Sequence, residues 1–507
     1  MSEHEKPEAA DRALPSVGAH KDKPETGGNY SETIGAIQEL EQFGGGRAQA
    51  RRQRPAKSIR EPARDVPVFA EADVLVVGGG PAGTAAAVAA ARLGADVMLV
   101  ERYNHLGGLS TGGLVIWIDR MSDWQGRHVI RGIANEIMER LPKDAVAGPK
   151  RSEWGSKDAA TAAYWAARTA AFHGTVTWSP TIDPEALKSL SLALVTESRV
   201  RLLLHSWAAA PILDETTLKG IVFESKEGRQ AVLAKVVVDT TGDADLIART
   251  GASLESDIDE RDIHHCINTA FLLGGVDMER WLAFRRDDAK GFSDFMARGR
   301  AAVGFFEKPF VSWRNDVALF MGPRLAGYSA VDVEDLTAVE LRSRQLTLAH
   351  LAFYKAHAPG FSNAFLMLGA PQIGVRHSRR LKGLGRVTRD QWPTGLVHDD
   401  EIGVSTSLSP KFPNISVPLG ALLPAGLDGI VGAGRHIACD ASSHTFLREI
   451  PQCWLTGHAA GVTAALAANA GASPRAVDVR AVQKELLRQG AYLSPATEER
   501  CRVAAAE

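Results

Sequence analysis

Asp73-Val-Leu-Val-Val-Gly-Gly-Gly-Pro-Ala-Gly83 is the stretch that decides the fold. A short apolar run enters a glycine-rich turn. The turn leads into Pro81 to Leu93, an alanine-rich segment that favours helix. Asp96-Val-Met-Leu-Val100 follows as a second apolar run. Runs of this length without polar alternation suit strands covered on both faces, as in a parallel sheet. The three pieces predict a strand–helix–strand unit. Gly78, Gly80 and Gly83 fit the G-x-G-x-x-G spacing. The first permits a tight turn, the second lets backbone approach a pyrophosphate, and the third lets helix and strand pack closely. The helix start, where Pro81 suits the first turn, offers free N–H groups from Ala82 onward to phosphate.

Glu101 ends the second strand, where an acid accepts hydrogen bonds from ribose hydroxyls and repels a 2′-phosphate. NADP is therefore not the expected nucleotide. Beyond it runs Glu101-Arg102-Tyr-Asn-His-Leu-Gly107-Gly108-Leu-Ser-Thr111. A glycine pair so soon after the ribose acid resembles the FAD-binding flavoproteins. Lys235-Val-Val-Val-Asp239-Thr-Thr241-Gly242-Asp243 resembles the segment by which such proteins return from an insertion to the nucleotide sheet. The residues just after the strand expected over Val200 to His205, about Trp207 to Ala209 with Ala208 central, are then expected to meet the adenine.

The C-terminal block reads Gly432-Ala-Gly434-Arg435-His436, then His444, then Arg448-Glu449-Ile450-Pro451-Gln-Cys453, then Gly457-His-Ala-Ala-Gly461. With Ile373 to Gly383, it resembles the FAD-dependent oxidoreductases distantly related to the fumarate reductase flavoproteins. Those proteins carry G-R, R-x-x-P-x-C and G-x-A-A-G at these places. The likeness spans about residues 70–470. It implies an α/β fold, with a Rossmann-like FAD-binding domain of the glutathione-reductase type and a mixed α+β domain covering the substrate. It also implies cofactor contacts from Gly78, Gly80, Pro81, Ala82, Gly83, Glu101, Arg102, Gly107, Gly108, Thr111, Ala208, Thr241, Gly242, Asp243, Gly434, Arg435, Glu449 and Ile450. Pro451 suits a helix's first turn, and that helix start would face the flavin's pyrimidine edge.

The catalytic candidates are His444, His436 and Arg376. Both histidines lie in the loop expected to pass the flavin ring, where a histidine can move a proton near neutral pH. His444 stands near where fumarate reductases place an arginine, which counts against fumarate chemistry. Arg376, Arg379 and Arg380 form a basic cluster that could orient a substrate oxygen or carboxylate. His264 and His265 are adjacent on an expected strand, so they face opposite sides and do not chelate one metal.

The chain has 507 residues, 45% hydrophobic and 23% charged, enough for more than one structural unit. A formal charge of −2 argues against nucleic-acid binding. Four cysteines without a C-x-x-C pair leave no zinc or iron–sulfur signature, and no C-x-x-x-x-C follows Glu101 as in a disulfide reductase. No signal-peptide core or 20-residue apolar run is visible, so a cytoplasmic protein without a membrane span is expected. The organisation expected is a disordered arm at 1–70, with a short helix from Tyr30 to Phe43 and a solvated cluster of Arg47, Arg51, Arg52 and Arg54. An FAD domain at 71–252 and 371–475, a covering domain at 253–370 and a helical tail at 476–507 follow. The expected activity is hydride transfer between FAD and a carbon of a small organic substrate, at a C–OH or C–C bond. The electron acceptor and any homo-oligomer stay open. The alternatives are a flavin monooxygenase using NAD(P)H and oxygen, disfavoured because Gly434-Arg435 replaces its G-D-A, and a non-catalytic electron-transfer subunit.

Overall fold

The computed structural model describes residues 57–256, 267–325 and 327–503. The expected arm helix, the arginine cluster, His264, His265 and Cys266 lie outside them. Strand β1 (Val68–Val77) leads through the glycine loop to helix α1 (Pro81–Ala91), then to β2 (Val97–Val100). Helix α2 (Pro184–Glu197) is capped by the Asp183 side chain, which accepts from the Glu185 and Ala186 amides. It delivers β3 (Arg201–Leu203), after which come β4 (Trp207–Asp214), β5 (Thr217–Ser225) and β6 (Gly228–Asp239). The sheet order is β3-β2-β1-β6-β5-β4. β1 pairs in parallel with both β2 and β6, so Val74 to Val77 are shielded on every side and need no polar alternation.

The sequence suggests two strands of a small antiparallel insertion, Ile221 to Glu224 and Ala231 to Asp239, and separately a returning segment at Lys235–Asp239. The second insertion strand and the returning segment are one strand. Its first half makes the hairpin with β5, and its second half runs parallel to β1.

The segment that follows contains β7 (Phe271–Gly274), helices α3 (Met278–Asp287) and α4 (Ala289–Val303), β8 (Val317–Phe320), the long α5 (Val333–His357) and β9 (Phe365–Gly369). β7 pairs antiparallel with β8 and β9. Side chains alternate across this sheet. Leu272 and Leu319 join the main core, whereas Phe271, Leu273 and Phe320 join a separate aromatic core around Trp281, Phe295 and Tyr354. This segment thus joins the main core through one face of its own sheet.

The chain returns with β10 (Ile430–Gly432), which pairs in parallel with the end of β6. Helices α6 (Ala441–Leu447) and α7 (Ile450–Ala470) follow, and the tail forms α8 (Val479–Arg488) and α9 (Pro495–Val503). α7 crosses α1 backbone to backbone. A Cβ on Gly457 would lie 2.1 Å from the Ala82 carbonyl oxygen, and one on Gly461 would lie 2.2 Å from that of Ala86. Four-residue spacing puts both glycines on one stripe, which is why this helix carries G-x-A-A-G. No helix among the described residues is long and apolar enough to cross a membrane.

Candidate functional site: a nucleotide cavity at the end of the parallel sheet

A cavity opens at the C-terminal ends of β1, β2 and β6. Ligands bind at this edge in open α/β sheets. Two glycines of the loop there do opposite work. A Cβ on Gly83 would sit 1.7 Å from the Gly78 carbonyl oxygen, so Gly83 is required by packing alone. A Cβ on Gly80 would meet nothing within 4 Å, and Gly80 lines the cavity. The α1 N-terminus that it begins has no side-chain cap and carries Pro81 at its start. Its unsatisfied N–H groups therefore face space that an anion can fill. Gly108 closes against the same place, where its Cβ would lie 2.8 Å from the Gly80 Cα.

Glu101 fixes one end. Its carboxylate accepts from the Gly79 amide and from the Tyr103 amide at 2.7 Å, so it is held in place at the cavity wall. Beside it the Arg102 guanidinium lies 4.9 Å from the ring centroids of both Tyr103 and Trp207. Trp207 and Ala208 complete this wall.

On the opposite side, Thr241, Gly242 and Asp243 face Gly434 and Arg435. Asp243 accepts from Arg435 Nη2 at 2.7 Å and from the Ser378 hydroxyl. Burial opposes its charge, but the Arg435 guanidinium and the Ser378 hydrogen bond outweigh that and hold its carboxyl below the usual range. Ile450 and Cys453 bring the start of α7 to the wall; no side chain caps that end either. Burial pushes the Cys453 thiol up to about 12, so it stays protonated and is no nucleophile.

Of the expected cofactor contacts, Gly83, Gly107, Thr111 and Glu449 do not line the cavity. Gly83 is a packing residue. Thr111 donates its hydroxyl to the Leu106 carbonyl at 2.7 Å and to the Gly108 carbonyl at 3.2 Å, and so holds the Gly107–Gly108 turn. Glu449 is the α7 N-cap and pairs with Arg448 at 3.2 Å. The wall also includes Tyr103, Ser206, Gln372 and Arg448, which sequence motifs did not single out as contacts. Arg448 opens the R-x-x-P-x-C motif and Gln372 immediately precedes Ile373, so position in or beside a motif was the available signal.

None of the three expected catalytic side chains lines the cavity. His444 is fully buried. Its Nε2 lies 2.6 Å from the Arg435 carbonyl, which can only accept, so Nε2 carries the proton. Its Nδ1 lies 2.8 Å from His377 Nδ1. Burial first, then His377, Arg380 and Arg448, press His444 well below the ordinary histidine range, so it stays neutral. Neutral His444 accepts at Nδ1, and His377 therefore donates there. His436 is enclosed with neither ring nitrogen hydrogen-bonded, and burial lowers it too. The arginine cluster is divided: Arg379 pairs with Asp245 at 2.5 Å, Arg380 Nε donates to the Cys439 carbonyl at 3.0 Å, and half-buried Arg376 acts on the Glu307 carboxyl. No group of side chains suited to a metal occurs among the described residues.

The family model of FAD-dependent oxidoreductases matches residues 73–486. The chain belongs to the FAD-dependent oxidoreductase family. Its cofactor is FAD, and the cavity fits it: Gly80 leaves open space at an uncapped helix start, and the Glu101 carboxylate stands at the wall. A model of the pyridine nucleotide-disulphide oxidoreductases also matches this oxidoreductase, over residues 3–125. It is 29% identical over 287 residues to digeranylgeranylglycerophospholipid reductase 2 of Methanopyrus kandleri, covering 54% of the chain and 64% of the relative. Reductase 1 of the same organism is 30% identical over 188 residues, covering 36% and 42%. The match spans less than two thirds of either relative's length. These relatives are phospholipid reductases and not specifically relatives of fumarate reductase. Among solved structures, a geranylgeranyl bacteriochlorophyll reductase-like protein of Thermoplasma acidophilum has a TM-score of 0.43 at 13% identity, covering 82% of this chain and 83% of that one. The flavin-dependent brominase Bmp2 has a TM-score of 0.43 at 14% identity, covering 80% and 81%.

Proposed function

We infer that this oxidoreductase holds one FAD non-covalently in the cavity and oxidises or reduces a carbon centre of a small organic substrate. The observation that carries the reading is Gly80. It is an open α-carbon at an uncapped helix start, inside a cavity that also exposes Glu101 and the start of α7. Bound FAD supplies two-electron exchange with the substrate carbon. The protein's part is placement. The α1 amides and Gly80 hold the pyrophosphate, and Glu101 accepts from ribose hydroxyls. Arg102, Trp207 and Ala208 border the adenine end. Thr241, Gly242 and Asp243 with Gly434 and Arg435 hold the middle. The α7 start at Ile450, preceded by its N-cap Glu449 and without a side-chain cap, would offer partial positive charge to an anionic reduced flavin.

His444 acts in this reading as a positioning residue, because its Nε2–H holds the Arg435 carbonyl beside the cavity. His436 and Arg376 serve packing and ion pairing. A finer kinship with the fumarate reductase flavoproteins rests on the sequence motifs alone. The test is direct: purified protein carries flavin absorbance, releases FAD on heating, and is bleached anaerobically by a member of a panel of alcohols, sugars, acids and enones. Protein that folds but neither carries nor takes up FAD refutes the assignment. NADH consumption coupled to oxygen insertion supports the monooxygenase instead.

A further inference from the structure

Polar atoms withdrawn from solvent are normally hydrogen-bonded, and one that is not marks strain or a place for a ligand. Two such atoms of this oxidoreductase, His105 Nε2 and Gln372 Oε1, come together at Gly112. A Cβ on Gly112 would lie 2.1 Å from the imidazole nitrogen and 3.2 Å from the amide oxygen, so both atoms flank one bare α-carbon. The backbone N–H of Gln372 donates to the Gly112 carbonyl at 3.1 Å and holds the two segments together. Gln372 lines the nucleotide cavity, as do Gly108, Leu109 and Ile373. It reaches the wall from beyond β9, outside the nucleotide sheet. His105 lies just behind the wall and is 6% exposed. Its ring stacks on that of Tyr103, which lines the cavity, at 5.5 Å between centroids.

The two atoms meet as acceptors. His105 Nδ1 lies 2.8 Å from Asn104 Oδ1, which can only accept, so Nδ1 carries a proton. Burial first, then Lys188, hold the imidazole below the ordinary histidine range against weaker pulls from Gln372 and Glu185. The ring is therefore neutral at pH 7, and its Nε2 is a lone pair. A carboxamide oxygen cannot satisfy a lone pair, but a carboxamide N–H can. The two ends of the Gln372 amide are alike in shape, so a half-turn gives an N–H to His105 and presents Oε1 to the cavity. His105 thereby sets which end of the amide the cavity receives.

We propose that Gln372 is a cofactor-binding residue of the riboflavin half of FAD, and that His105 is the positioning residue that turns its carbonyl toward the cofactor. This rests on the FAD reading above. In that reading Glu101 already takes the ribose hydroxyls of the adenosine half, and Arg102, Trp207 and Ala208 border the adenine. The riboflavin half offers O–H donors on its ribityl chain and one N–H on its ring. A neutral carbonyl acceptor suits either, without adding charge beside the pyrophosphate. Gly112 is part of the arrangement, because any side chain there would push His105 and Gln372 apart.

The experiment titrates the full-length apoprotein with FAD and, separately, with ADP, which carries the adenosine half alone. Gln372→Leu should raise the FAD Kd about 5-fold, the central value for one neutral hydrogen bond, and leave the ADP Kd unchanged. His105→Asn keeps a donor for Asn104 but withdraws the Nε2 lone pair. It should raise the FAD Kd by itself and have no further effect beside Gln372→Leu, because the two residues act through one contact. His105→Gln, whose amide reaches the place of Nε2, should recover most of the loss. An unchanged FAD Kd in Gln372→Leu overturns the proposal, and so does equal weakening of ADP, which marks a distorted cavity. Normal FAD affinity with slower bleaching by substrate places Gln372 at the substrate and overturns it too. Additive effects of the two substitutions overturn the role of His105. Wild type that takes up no FAD overturns the underlying reading instead.

Discussion

Two glycines three residues apart should respond oppositely to substitution. Gly80 has φ −68° and ψ −171°, an extended conformation open to any residue, and its Cβ position is empty to 4 Å. Gly80→Val should therefore fold as wild type, with stability changed by no more than about 0.5 kcal/mol, as at other sites free of contacts. It fills the space of the pyrophosphate. Loss of one or two charge-assisted hydrogen bonds at about 1.5–3 kcal/mol each weakens FAD by roughly 3–4 kcal/mol. At about 1.4 kcal/mol per decade that is about a 100- to 1,000-fold rise in Kd. Gly83→Ala behaves differently. Its methyl would stand 1.7 Å from the Gly78 carbonyl oxygen and 2.7 Å from Thr240 Oγ1, whereas ordinary contact begins near 3.4 Å. The turn must open by about 1.7 Å, the difference of those distances. Thr240 cannot yield freely, because its hydroxyl donates to the Val77 and Gly78 carbonyls at 2.8 and 2.7 Å. The cost should reach about 3 kcal/mol, the upper range for overpacking. Thermal unfolding of the apoprotein and titration with FAD separate the effects. If Gly80→Val binds FAD like wild type, or loses as much apoprotein stability as Gly83→Ala, the division of labour drawn here is wrong.

Other outcomes follow from the same contacts. Gly461→Val should separate α7 from α1, because even a Cβ there meets the Ala86 carbonyl at 2.2 Å; a loss of about 1–3 kcal/mol in urea unfolding is expected, and unchanged stability contradicts the close crossing. His350 donates at Nδ1 to the Leu346 carbonyl and accepts at Nε2 from the Glu307 amide, and burial lowers it to about 4. Its folded value lies below the unfolded one of 6.5, so its stability is complete above pH 6.5 and is lost as pH falls from there toward 4. That loss amounts to about 3 kcal/mol at 1.36 kcal/mol per unit, and a His350→Gln variant should show a shallower acid limb in calorimetry. Cys453, its thiol held near 12, should resist iodoacetamide at pH 8 in the folded protein; rapid alkylation mapped to it by mass spectrometry contradicts its enclosed position.

Local chemistry explains what could be read directly. The β1–α1–β2 unit is continuous in sequence, and its glycines answer to neighbours a few residues away. Glu101 was legible because strand length sets its distance from the loop. Gly457 and Gly461 were legible as small residues at helical spacing, although only the fold names Ala82 and Ala86 as what they meet. Enclosure of the catalytic candidates was not legible. His436 and His444 have suitable chemistry and loop positions, yet the fold encloses both behind the wall. The meeting of His105 with Gln372 at Gly112 carries no motif either, because it joins residues far apart along the chain.

Short-range sterics and spacing along the chain set out one half of this protein: a parallel strand, a glycine turn, a helix start and an acid at the end of the second strand. Tertiary structure alone decided which polar side chains keep water and which lose it. Burial is a property of what packs around a residue, and it moves a carboxyl such as Asp119 or an imidazole such as His444 by the cost of leaving a charge in a poorly polarisable interior. No residue type or spacing carries that information, because the atoms that exclude the water come from distant parts of the chain.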